Sequence, residues 1–465
     1  MQYPSTTSAC WIAALLLGSP ASSAIARDEP TRPNIVLMVV DDLGYGDLGC
    51  YGQEQIQTPS LDRLAAEGVR FTRFYSGSTV CAPSRAVLMT GLHTGHCEIR
   101  GNGKQNLKAE TVTLAEVLAE GGYATGLFGK WGIGHEGSEG VPTRQGFDTF
   151  FGYLDQHHAH NHYPSFLIRD EERVALRNVV PNEGKHGQGE ATEKIDYSHD
   201  LITDAALEFV DEHAQESFFA MVAWTLPHAN NEAGRRGMEV PSDSPYAERD
   251  WPAPERGFAG MVARIDRDVG RIVDRLAERG ILERTLLLFT SDNGPHNESG
   301  HRAAFFDSNG PLRGTKRDLT EGGIRVPLIA SWPGTIRGGR DTAHAAAFWD
   351  LMPTLAELAG AGEHLPANVD GLSFAPTLLG ESGQRPAPYQ YWAFYERGGG
   401  QALCRGRWKV VQQPIASAPR LYDLEADIGE SDDLAGQRPE LLAELVGLME
   451  EAYTPSPRWK LPTAR

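Results

Sequence analysis

Residues 34–40, NIVLMVV, form an unbroken apolar, β-branched run that stops at Asp41-Asp42. An alternating run would leave one face of the strand wet. A continuous one demands cover on both faces, which is the habit of a parallel strand in an α/β sheet. This feature constrains the fold most, because such a sheet needs a layer of helices on each side. The remaining chain supplies them. Ser60 is placed to cap a helix over 60–68, and further helices are expected over 111–120 and 258–279. Apolar runs at 123–128, 218–225, 285–290 and 326–330 read as strands. Strand and helix alternate, so the expected class is α/β: a sandwich around a mostly parallel central sheet.

Polar groups follow the ends of these strands. Asp41-Asp42 closes the first, Gly129-Lys130-Trp131 follows the second, Pro227-His228 the third and Asp292-Asn293 the fourth. Ligands of open α/β sheets bind at the carboxyl edge of the strands. Asp41, Asp42, Lys130, His228, Asp292 and Asn293 are therefore expected to converge, although they are far apart in sequence. Asp41, Asp42, Asp292 and Asn293 offer only oxygen ligands, which suit a hard cation such as Ca²⁺ or Mg²⁺. After about Leu372 the texture changes to short strand-like pieces at 389–395, 408–411 and 420–424, then a helix over 439–453. The chain thus reads as a large domain, 27–371, and a smaller C-terminal α+β subdomain, 372–465.

The 465 residues carry a formal net charge of −19, which argues against a general binder of nucleic acid or anionic membranes. It leaves room for a local cationic pocket. Residues 11–17 are a short apolar run, followed by Gly18-Ser19-Pro20 and an Ala24-Ile25-Ala26 cleavage pattern. This reads as a signal peptide over 1–26 and a periplasmic or secreted protein, although no Lys or Arg precedes the run. No later segment reads as a membrane span. Beyond Cys10, the cysteines are Cys50, Cys81, Cys97 and Cys404, without metal-type C-x-x-C spacing. One disulfide among Cys50, Cys97 and Cys404 is compatible with export.

The decisive segment is Cys81-Ala82-Pro83-Ser84-Arg85-Ala86-Val87-Leu88-Met89-Thr90-Gly91. Pro83 suits a first helical turn, which puts Cys81 at a helix N-terminus, where the dipole favours an anion. The segment closely resembles the signature of the type I sulfatases, C-x-P-S-R with an L-x-T-G ending. The resemblance extends along the chain. Asp41-Asp42 in VVDDLGYGDLG looks like the family's first pair of metal ligands and Ser291-Asp292-Asn293-Gly294 like the second. Gly129-Lys130-Trp131 is similar to the family's sulfate-holding lysine segment, Pro227-His228 to its P-H, and Gly314-Thr315-Lys316 to the segment carrying a second such lysine. Leu421-Tyr422-Asp423-Leu424 resembles a recurring C-terminal motif.

The resemblance implies an alkaline-phosphatase-like fold and a reaction. Cys81 is oxidised to formylglycine by a formylglycine-generating enzyme, and one hydroxyl of its hydrate attacks sulfur. One Ca²⁺ sits on Asp41, Asp42, Asp292, Asn293 and the modified Cys81. Lys130, Lys316 and Arg85 stabilise the developing charge, and His228 protonates the leaving alcohol. The second hydroxyl then expels sulfate. One position departs from the pattern. Many members have a histidine after G-K-W that contacts the nucleophile, and here it is Gly132. His135 is the candidate to take its place, with the histidines of 157–162 as others. That run also suits zinc by composition. His93, His96, His296 and His301 read as surface or hydrogen-bonded residues.

The alternatives are a related phosphatase or phosphodiesterase, which would hold two zinc ions and use Ser or Thr, and a glycan-binding relative that keeps Cys81 as a thiol. The expected substrate is a sulfated saccharide. Specificity is expected in the loops 136–164 and 230–256, where histidines, asparagines, tyrosine and Trp251 can meet sugar rings.

Overall fold

In the computed structural model, β1 (Asn34–Val40) shows why its sequence is apolar throughout. Ile35, Leu37 and Val39 enter one core while Val36, Met38 and Val40 enter another, and all six are fully buried. The structure describes residues 1, 2, 4, 32–242 and 244–461. The apolar run and cleavage pattern at 11–26 lie outside the described residues.

Ten further strands join β1 in the main sheet. They are β2 (Val69–Tyr75), β3 (Ala124–Lys130), β4 (Thr149–Tyr153), β5 (Phe166–Arg169), β6 (Glu172–Ala175), β7 (Phe218–Ala223), β8 (Thr285–Ser291), β9 (Arg325–Ser331), β10 (Arg340–Thr342) and β11 (Ala346–Ala347). Their order is β10-β2-β9-β8-β1-β7-β3-β4-β5-β6, with β11 also on β2. The centre, β8-β1-β7-β3-β4, is parallel throughout. The run expected at 326–330 is β9, and it is antiparallel to both β2 and β8.

Helices cover both faces: α1 (Pro59–Ala66), α2 (Cys81–Thr90), α3 (Leu114–Glu120), α4 (Ser198–Glu212), α5 (Ala253–Glu278), the single turn α6 (Glu321–Ile324), α7 (Phe348–Leu358) and α8 (Ala375–Leu379). α2, α3 and α7 pack on the core face that holds Ile35, and α1, α4 and α5 on the face that holds Val36. This is the expected α/β sandwich. α1 begins at Pro59 after an N-cap at Thr58, so Ser60 lies inside its first turn rather than capping it. Its N–H donates to Asp266 of α5. Among the described residues, no helix is long and apolar enough to cross a membrane.

A second, antiparallel sheet follows: β12 (Gln390–Phe394), β13 (Gly400–Arg405), β14 (Trp408–Gln412) and β15 (Arg420–Asp423), with α9 (Pro439–Glu451). One face of it, with Tyr391, Leu403, Val410 and Leu421, packs on Leu445 and Met449 of α9. The other, with Trp392, Phe394, Ala402 and Val411, joins the core beneath the main sheet. The small sheet therefore completes the main body. Cys50, Cys81, Cys97 and Cys404 are all free thiols, so the export-compatible disulfide is not formed.

Candidate active site

The carboxyl ends of β1, β3 and β8 deliver one cluster of charged groups. Asp41 and Asp42 directly follow β1, and Asp42 takes a left-handed φ of 68°. That turn lets two consecutive carboxylates face the same point. Lys130 is the last residue of β3 rather than lying two residues past a strand that ends at Phe128, because β3 stays in register with β4 to Tyr153. α2 starts at Cys81 itself after an extended Val80. Cys81 and Arg85, one turn apart, face the same cluster.

The distances make a closed network. Asp41 accepts from Lys130 Nζ at 2.6 Å and lies 3.5 Å from Arg85. Cys81 Sγ is 3.4 Å from Asp41 Oδ1. Asp42 accepts from Lys316 Nζ at 2.7 Å and from Asn293 Nδ2 at 2.7 Å. Asp292 Oδ2 accepts from Arg85 Nε at 3.1 Å and Nη2 at 2.9 Å. His228 Nε2 is 3.2 Å from Lys316 Nζ and 3.5 Å from Asp42. All of these side chains are buried. The six strand-end residues expected to converge do so, joined by Cys81, Arg85 and Lys316.

Burial and charge set the protonation. Burial alone would raise Asp41, but Lys130, Arg85 and Lys316 hold it below the usual carboxylate range. For Asp42, burial prevails over Lys316 and moves the carboxyl to about 7. Burial and the neighbouring Asp41 also raise Asp292. Burial and Asp41 push the Cys81 thiol far up. Thiolate, the nucleophilic form of cysteine, is therefore scarce at neutral pH. Burial and Lys316 hold His228 well below its ordinary value. Its Nδ1–H donates to Ala229 O at 2.7 Å, which leaves a lone pair on Nε2.

The donor set fits a hard cation. Asn293 Oδ1 is buried without a hydrogen-bond partner among the described residues, while its Nδ2 is spent on Asp42 and Gly294 O. That orphaned oxygen sits with three carboxylates, the ligand chemistry of Ca²⁺ or Mg²⁺. Asp41, Asp42, Cys81 and His228 present ligand atoms within 4.8 Å of one another. An oxygen at the Cys81 position would suit such an ion better than its soft sulfur.

A cavity of about 250 Å³ opens over the cluster, lined by Cys81, Lys316, His228 and His135. Gly132 has a φ of 79°, and a Cβ there would meet Gln156 Cγ at 3.3 Å and Arg85 Cδ at 3.6 Å. Gln156 thus takes the space beside Gly132, the position where the resemblance implies a histidine. His135 lines the cavity with its Nδ1 3.3 Å from Asp155, yet stands outside the carboxylate cluster. His157, His158, His160 and His162 form no group of metal ligands among the described residues. Instead His162 bonds His228 O at 2.9 Å, and His160 stacks on the His228 ring at 4.8 Å.

Asp155, Gln156, His157 and His160 from one expected specificity loop reach the cavity, as does Asn231 from the other. Trp251 does not: it stacks on Tyr246 and packs edge-on against Phe305 and Phe306. Asn102 and Lys104 line the cavity from a segment that carries no motif, and Arg317 lines it from the position just after Lys316. Glu298 was also silent in the sequence. Although burial pushes it up, Lys316, His296 and Arg317 hold it at about 2.

The comparisons decide the family. The sequence profile described as Sulfatase matches residues 33–361. The chain belongs to the sulfatase family. Its C-terminal part, residues 314–452, matches the profile of the N-sulphoglucosamine sulphohydrolase C-terminal region. It is similar to arylsulfatase A of Homo sapiens, 35% identical over 93% of this chain and 89% of that one. N-acetylgalactosamine-6-sulfatase of Mus musculus is 34% identical over 85% of this chain and 75% of its own. Among solved structures, Ps i-CgsB in complex with k-i-k-neocarrahexaose matches with a TM-score of 0.77 and 26% identity, covering 93% of this chain and 95% of that one. The protein is a sulfatase, a hydrolase of sulfate esters with the alkaline-phosphatase-like fold.

Proposed function

We propose that this sulfatase is exported, uses formylglycine made from Cys81, holds one Ca²⁺ and releases sulfate from a sulfated carbohydrate. The observation that carries the reading is the position of Cys81. It begins α2, is buried, and lies 3.4 Å from Asp41 inside a cluster of oxygen ligands. A thiol pushed up by burial is a poor nucleophile there.

Formylglycine, formed from Cys81 by an oxidising maturation enzyme, supplies in its hydrated form an oxygen nucleophile. Ca²⁺ on Asp41, Asp42, Asp292 and Asn293 supplies Lewis acidity toward the sulfate oxygens. The remaining work belongs to side chains. Lys130 and Lys316 each spend one N–H on a carboxylate, at 2.6 and 2.7 Å, and an ammonium has three to give. Their other donors can hold ester oxygens. Arg85 is locked between Asp292 and Lys130 O and braces both. His228 is neutral beside Lys316. An anionic ester against Lys316 offsets that positive charge, so substrate binding raises the affinity of Nε2 for the proton it passes to the leaving oxygen.

Carbohydrate is favoured by the cavity wall. Asn102, Gln156, His157, His160 and Asn231 offer hydrogen bonds and small ring faces, not the broad apolar cleft a steroid sulfate would need. Relatives named for a sulfated hexosamine, and a neighbour solved with a neocarrahexaose, support the same class. The test is the mass of the Cys81 peptide after co-expression with a formylglycine-generating enzyme, with sulfate release from a panel of sulfated sugars. Thiol loss, aldehyde gain and abolition of turnover in Cys81→Ala are expected. Full turnover with an intact thiol refutes the mechanism. Steroid sulfate cleavage without sugar cleavage refutes the substrate class.

A further inference from the structure

A second cavity, of about 610 Å³, adjoins the catalytic one, and Lys316 and Arg317 line both. Its charged lining is Arg313, Lys316, Arg317, Arg397 and Arg420, with Asp318 as its single carboxylate. Lys316 and Arg317 are already matched, by Asp42 and Glu298. The other three are not. Arg313 donates to a neutral acceptor, Glu430 O, at 2.7 Å. Among the described residues, Arg397 and Arg420 have no acidic partner within ion-pair distance. Asp318 is engaged by the Thr315 N–H at 2.8 Å.

Lone surface arginines are ordinarily just solvated. These come from three separate places and face one concavity: the loop around Lys316, the turn between β12 and β13, and the start of β15. Two of the arginines hold left-handed backbone conformations, Arg317 at φ 80° and Arg397 at φ 51°. Non-glycine residues adopt these at a cost, and such outliers gather at functional sites. In a chain of net charge −19, an uncompensated cationic cavity beside the active site is an electrostatic exception. Its volume is that of a small-molecule subsite, which run from about 300 to 1,000 Å³, and exceeds what one small anion fills.

We propose that this cavity binds a second negative charge on the substrate, a carboxylate or sulfate carried by a sugar next to the one bearing the scissile ester. The proposal rests on the carbohydrate reading above and deepens it. The planar guanidinium fork pairs with either anion through two parallel hydrogen bonds. Lys316 and Arg317 form the wall between the subsites, so both ends of an anionic saccharide are held across one residue pair.

The test uses the matured full chain and four probes: 4-nitrophenyl sulfate, an N-acetylhexosamine monosulfate, the same sugar linked to a hexuronate, and the same sugar linked to a second sulfated sugar. For the native protein, kcat/KM is expected to rise at least tenfold from the monosulfate to a doubly charged probe, and the gain to shrink in high salt. In Arg397→Gln/Arg420→Gln that gain should vanish through KM, while 4-nitrophenyl sulfate turnover stays within twofold. Whichever doubly charged probe shows the effect identifies the anion. The single Arg397→Gln change, at an exposed hairpin tip, keeps the test decisive if the pair unfolds. Monosulfate cleavage with no gain from either added charge overturns this proposal and leaves the carbohydrate reading standing. Cleavage of 4-nitrophenyl sulfate with no sugar cleaved overturns both.

Discussion

Replacing Lys409 with Met tests how the small sheet is fastened to the catalytic body. Lys409 projects from β14, is fully buried, and sits 2.8 Å from Glu321 and 3.0 Å from Glu430. Glu321 opens α6, in the segment that carries Lys316, and also meets Arg325 at 3.1 Å and the Tyr75 hydroxyl at 3.0 Å. Removing the lysine strands two buried carboxylates with one cation between them, which costs about 3–5 kcal/mol. At the ~2 °C per kcal/mol of larger domains, the thermal midpoint should fall by roughly 6 to 10 °C at pH 7.

The pH dependence identifies the cause. In the native protein, Lys409 and Arg325 overcome burial and hold Glu321 at about 2, below its ordinary 4.5. A carboxyl depressed on folding contributes stability above its unfolded pKa, and the contribution is lost as pH falls through about 2. Burial already raises Glu430 even beside Lys409. Without the lysine Glu430 rises further and Glu321 loses its main cation, so both carboxyls favour the protonated form and the variant gains stability as pH falls. The deficit should therefore be largest at pH 7 and narrow by pH 5, read by circular dichroism melts at both. Lys409→Met/Glu430→Gln should recover part of the loss at pH 7. A midpoint shift below 1 °C, or one equal at pH 5 and pH 7, would refute the reasoning.

Three further outcomes follow from the site. Asp292→Ala should abolish stoichiometric calcium and lower kcat/KM by about 10²-fold or more, as checked by elemental analysis and aryl sulfate assays; stoichiometric zinc without calcium in active native protein would contradict the ligand set. His228→Ala should cost more on an alkyl sulfate than on 4-nitrophenyl sulfate, whose leaving group needs little protonation, and equal losses would remove His228 from the proton-donor role. Gly132→His should not restore the family histidine, because the φ of 79° and the Gln156 contact at 3.3 Å oppose any side chain; about tenfold lower kcat/KM is expected from the strain alone, and wild-type turnover would show that the loop has room.

Local chemistry made much of this protein legible in its sequence. The run at 34–40 needed cover on both faces, so it announced a buried strand, and the acids after it marked the carboxyl edge. The Cys81 segment carried its own signature, and Pro83 placed it on a helix start. Other features were set by partners distant in the chain. β9 holds an apolar run at 326–330 and is buried along its length like β1, and a strand covered on both faces reads the same in either direction, so its antiparallel pairing was invisible. β13, GQALCR, opens on glycine and mixes polar with apolar residues; its strand is made by β12 and β14 on either side. Trp251 looked like a ring surface for sugars until packing gave it Tyr246, Phe305 and Phe306. Gln156 taking the space beside Gly132, Glu298 between Lys316 and Arg317, and Arg397 with Arg420 around one cavity are juxtapositions of separate segments. No spacing rule encodes them, because a side chain's charge balance depends on what the fold brings within a few ångströms of it.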